Sequence, residues 1–114
     1  MSKLVLHLFH NDPAAMATVP ALAERIHQGV GENRPELEVY VFGPAEGVLS
    51  AGDRAEFNTR IDALIELGVR VTTCIGLAQQ AGAEAAFRAR GMALESAAVA
   101  FPRFAVEAAT VITF

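Results

Sequence analysis

The chain has little of what builds a secreted, membrane-bound or nucleic-acid-binding protein. One cysteine, Cys74, stands among 114 residues, so no internal disulfide can form. A reducing cytoplasm is the expected setting. Lys3 is the sole lysine, the nine basic residues are scattered, and the net charge is −4. Without a basic cluster, nucleic acid and membrane surfaces are not expected partners. No apolar run approaches the roughly 18 residues of a membrane-spanning helix. The opening Met-Ser-Lys-Leu-Val-Leu-His lacks a signal peptide's cleavage region and reads as a first strand. Neither Cys-x-x-Cys nor His-x-x-x-His occurs, so neither metal nor cofactor is expected. Walker and Gly-x-Ser-x-Gly motifs are missing too. Gly29-x-Gly31 follows a helical stretch rather than a strand, which excludes a phosphate loop.

Apolar residues are abundant: 53% of the chain is hydrophobic and 19% charged. That balance excludes disorder. The length suits one domain, residues 1–114. So much apolar surface on so small a domain points to burial against further subunits.

Lys3 to Phe9 is a nearly continuous apolar run, the mark of a strand covered on both faces. Asp12-Pro13 supplies an N-cap and a first helical residue. Met16, Val19, Leu22, Ala23, Ile26 and Val30 then recur at helical spacing, with Pro20 either in a first turn or at a kink, and Gly29 and Gly31 as the stop. Leu37 to Phe42 reads as a second strand ended by Gly43-Pro44, with a short helical turn near Val48-Leu49. Asp53-Arg54-Ala55-Glu56 has capping-box spacing and opens a helix ended by Gly68. Val69 to Thr73 is a third strand. A helix from Ile75 to about Gln80 follows, then another from Ala83 to Arg90 anchored by Phe87. Ser96 to Ala100 reads as a fourth strand, Pro102 as the start of a helix to about Ala108, and Thr110 to Phe114 as a fifth strand. Strands alternating with helices, and no Asn-Gly hairpin signal, predict an α/β fold. The expectation is a single-domain three-layer α/β/α sandwich with a mainly parallel five-stranded sheet of flavodoxin-like or DsrEFH-like kind.

Ligands of open α/β sheets bind beyond the carboxyl ends of the strands. Cys74 occupies such an end, directly before a helix. Unpaired N–H groups there favour a thiolate, so Cys74 is the candidate nucleophile. The competing reading is a small buried hydrophobe. Ile75 and Gly76 offer backbone N–H groups and close approach. His10 and Asn11 lie beyond the first strand, where His10 acts as a base or orienting group or is merely a solvated loop residue. Gly43 marks the turn beyond the second strand. His7 lies inside its strand and reads as a packed histidine.

The layout resembles the DsrE/DsrF-like family of small sulfur-relay proteins. The resemblance rests on the apolar first strand, Gly43-Pro44, the segment Gly68-Val-x-Val-x-x-Cys74 before a short alanine-containing helix and Gly82, and the terminal Val-Ile-Thr-Phe strand. It implies that Cys74 takes up sulfur as a persulfide. With no second cysteine for an internal relay, sulfur would pass between donor and acceptor proteins. The resemblance further implies a homo-oligomer, a trimer or hexamer.

Overall fold

In the computed structural model, which describes residues 2–114, the apolar run after Lys3 forms β1 (Lys3–Leu8). Asp12 caps α1 (Pro13–Gln28): its carboxylate accepts from the Ala15 N–H at 3.1 Å. Pro13 takes the first helical position, where its missing N–H costs nothing. Pro20 lies inside the helix, and Gly29 closes it in the left-handed region at φ 72°. Then follow β2 (Glu36–Val41), α2 (Pro44–Val48), α3 (Ala55–Glu66) and β3 (Arg70–Thr73). The chain ends with α4 (Ile75–Gln80), α5 (Glu84–Ala89), β4 (Ala93–Leu94), α6 (Ala97–Val106) and β5 (Thr110–Thr113).

All the strand pairings are parallel, in the order β4-β3-β2-β1-β5. The chain therefore walks straight across the sheet from β1 to β4, then returns in one crossover to lie beside β1. Flavodoxin's own order, 2-1-3-4-5, is different. Right-handed crossovers put every helix of the outward walk on one face and the helix of the return on the other. The residues obey this rule. Leu6, Leu8, Val39, Val41 and Val71 face Val19, Ala23, Phe57, Ile61, Leu64 and Phe87, drawn from α1, α3 and α5. On the opposite face Val5 and Tyr40 meet Ala100 and Phe104 of α6 alone. The three layers are thus unequal. The sole helix of the thin layer, 10 residues or about 15 Å long, runs beneath a sheet about 19 Å wide.

Three local expectations are corrected. Ser96 to Ala100 is not a strand: Ser96 is the N-cap and Ala97 the first residue of α6, while the fourth strand is Ala93–Leu94. Alanine is the best helix former, and Ala97, Ala100, Phe101 and Phe104 put one helical stripe on the sheet. Pro102 sits inside this helix rather than opening it. The Asp53 capping box does not form either. Arg54 is the N-cap, without a side-chain cap bond, and Asn58 instead donates to the Arg54 and Val48 carbonyls.

Candidate functional site at the beta3-alpha4 junction

Cys74 is where the sequence places it, between β3 and α4, with extended backbone (φ −72°, ψ 122°) at the N-cap position. It is far less open than that position suggests, at 7% exposure. Its backbone N–H is also already taken, since it donates to Glu46 Oε1 at 3.1 Å. One of the N–H groups left open at a helix start is thus filled by a carboxyl from the neighbouring turn. Ile75 begins α4 and is half-buried. A Cβ placed on Gly76 would lie 3.8 Å from Cys74 Sγ, so the glycine leaves that side of the sulfur uncovered.

Glu46 is the residue that sequence reasoning missed. It is 4% exposed and lies in the first turn of α2, which Gly43-Pro44 starts. Burial pushes its carboxyl up to about 7, although Thr73 and the Cys74 N–H pull the other way. No cation faces it. Oε2 is buried and has no hydrogen-bond partner among the described residues. Near neutral pH this carboxyl is therefore poised between acid and base, the condition suited to moving protons. Its signal in the sequence was only positional: a glutamate three residues beyond a strand-ending Gly43.

Gly43 has φ 75°, and any Cβ there would collide with the Phe9 ring. Both facts demand glycine, and they lock the end of β2 against the end of β1. A cleft of about 410 Å³ opens beside this turn, walled by Gly43, Pro44, Glu46, Leu77 and Phe87 among others. Cys74 is not one of its walls.

His10 and Asn11 are exposed in the loop after β1. The strand order places β2 between their strand and that of Cys74, about 10 Å of sheet. The His10 N–H is bound to the Phe114 carbonyl at 3.1 Å, as is the Phe9 N–H at 2.9 Å. His10 therefore belongs to the β1–β5 corner. That corner is the switch point of the sheet, where connections diverge to opposite faces, and the end of the chain's own β5 closes it.

His7 is packed, as expected. Its Nδ1 lies 3.0 Å from Thr113 Oγ1, and burial, then His10, lower its pKa. Phe9, Tyr40, Phe42 and Phe101 surround it. Tyr40, whose hydroxyl donates to the Glu95 carbonyl at 2.9 Å, is pushed upward by burial and then by Cys74 and Glu46. Among the described residues no group of histidine, cysteine and carboxylate side chains could hold a metal ion, and no helix is long and apolar enough to cross a membrane.

No family model and no curated protein matches this chain. Among solved structures it is similar to the conserved protein of unknown function BT1422 from Bacteroides thetaiotaomicron. The TM-score is 0.82 at 10% identity, over 99% of this chain and 95% of that one. At that identity the likeness speaks for the fold, which is a parallel α/β/α sandwich.

Proposed function

We propose that the protein is a cytoplasmic sulfur carrier that holds sulfur as a persulfide on Cys74. The observation that supports this reading is a buried carboxyl, Glu46, bonded to the backbone N–H of the residue that carries the chain's one thiol and pushed up by burial to about 7. Glu46 as carboxylate takes the thiol proton. The Cys74 sulfur attacks the outer sulfur of a donor persulfide. A new S–S bond forms at Cys74, the donor's S–S bond breaks, and the donor leaves as a thiolate that recovers the proton. The exchange involves no net oxidation. An acceptor thiolate then repeats the exchange in the other direction. Donor and acceptor are other proteins, and the carrier acts as a homo-oligomer of three or six chains, as the family resemblance implies. The bare side of Gly76 gives the sulfur its approach.

The test is intact-mass spectrometry after incubation with a small-molecule persulfide. The wild type gains one sulfur, Cys74→Ser gains none, and Glu46→Gln gains it more slowly, without a rate step near pH 7. A wild-type chain that stays unmodified while a free-thiol control reacts overturns the reading. The cleft beside Glu46 favours a second one, a non-catalytic binding module. Full cellular function in Cys74→Ser would select it.

A further inference from the structure

The two edges of the sheet differ. On one side β4 is only two residues long, a length that offers little to pair with. On the other side β5, Thr-Val-Ile-Thr, is exposed at all its positions. It bears no charge and no proline, the usual devices that blunt an edge. The side chains from Ala108 to Phe114 are also uncharged, in a chain whose net charge of −4 sets copies against one another elsewhere.

The direction of the free backbone groups can be read from the pairing with β1. Phe114 donates its N–H to the His7 carbonyl and accepts from Phe9. Both its groups therefore face β1, and by alternation so do those of Ile112 and Thr110. Val111 and Thr113 present their N–H and C=O groups outward, where no strand lies. These two residues flank Ile112. An antiparallel copy of the same strand, turned about a twofold axis through Ile112, sets Val111 opposite the second copy's Thr113, and the reverse. Each pair then exchanges both of its bonds. The two Ile112 residues meet as a non-hydrogen-bonded pair, with Cα atoms about 4.5 Å apart and side chains in contact on one face.

We infer that β5 is a self-pairing edge, through which two copies of this chain join their sheets antiparallel about a twofold axis at Ile112. The occupant is a second copy because the outward groups complement their own twofold image and no charge opposes the approach. The strand alone is too small for a stable dimer, which buries about 800 Å² per partner. Val106, 88% exposed on the last turn of α6, which feeds β5, and Ile112, 45% exposed, supply apolar surface beside it. A twofold contact is compatible with assemblies of two or six chains and incompatible with a lone trimer.

Two variants test this. Val111→Pro removes one outward N–H, at a position where an edge strand tolerates proline. It should halve the mass of the particle in sedimentation while leaving the helical circular dichroism unchanged. Ile112→Cys places two thiols within disulfide distance across the axis, and mild oxidation should convert the chain into a covalent dimer that wild type does not form. A wild-type particle of one or three chains overturns the inference. So does an unchanged mass for a folded Val111→Pro, or an Ile112→Cys chain that stays monomeric on oxidation. The cross-link decides the matter even if Val111→Pro does not fold.

Discussion

Glu38 and Glu46 are both buried, at 1% and 4% exposure, and they ionise in opposite directions. Glu38 lies on β2 toward the amino end of the sheet. Lys3 at 2.9 Å, Arg103 at 2.7 Å and the Thr72 hydroxyl at 2.7 Å surround it. Burial alone would raise its carboxyl, but Arg103, Thr72 and Lys3 outweigh that and hold it at about 2. Glu46 lies at the carboxyl end, with one N–H and no cation, and burial carries it to about 7. The sheet thus keeps a permanent charge where α6 must be fastened and a labile proton where the thiol is. Arg103 of α6 reaches Glu38, Glu95 and Glu107, so the second half of the thin layer's helix is held by ion pairs as well as by Phe101 and Phe104.

The contrast breaks most sharply at Glu38. Replacing Glu38 by Ala removes the buried partner that Lys3 and Arg103 share, leaving Lys3 with Glu107 and Arg103 with Glu95 and Glu107; losing one partner of a buried ion network costs up to about 3–5 kcal/mol. Urea unfolding should show that loss at pH 7. It should shrink as the wild type is acidified, because Glu38's contribution is full above 4.5 and fades as pH falls toward 2.

Glu46 should show the reverse sign. Between 4.5 and 7 the folded chain holds a proton that the unfolded chain has released. Glu46's contribution to stability therefore falls with rising pH, by up to about 3 kcal/mol, against the opposite contribution of His7, whose lowered pKa favours the fold as pH rises toward 6.5. Glu46→Gln should abolish this decline while keeping an acceptor for the Cys74 N–H. A stability difference between wild type and Glu46→Gln that stays constant from pH 4.5 to 7.5 would show that Glu46 is ionised throughout.

The smallest change is at Gly76. Its φ is unstrained and a Cβ would make only ordinary contact with Sγ, so Gly76→Ala should alter stability by less than about 1 kcal/mol. It should nonetheless slow alkylation of Cys74 several-fold. An unchanged rate would show that the sulfur is approached from another side.

What could be read from the sequence was whatever depends on neighbours in the chain. The run after Lys3, the Asp12-Pro13 start, the Gly68 stop and the junction at Cys74 each combine a propensity with adjacent punctuation. What could not be read depends on partners far along it. Ala97 to Ala100 is apolar at every position, so it has no period to separate strand from helix. Its alanines favour a helix, and the need to cover Val5 and Tyr40 fixes which face it buries. Glu46 looks like any surface glutamate until the Cys74 N–H lies against it, 28 residues away. The distance between His10 and Cys74 follows from the strand order, which the chain reveals only once the handedness of each crossover is applied.

The single return crossover also dictates when the protein can finish folding. The earliest strand receives its last neighbour from the final residues, as the pairing of Leu4 with Thr110 shows. Contacts that close so long a loop form slowly. During synthesis, Lys3 and Glu38 must therefore wait in water, with the aromatic side of the sheet bare, until α6 and β5 have emerged.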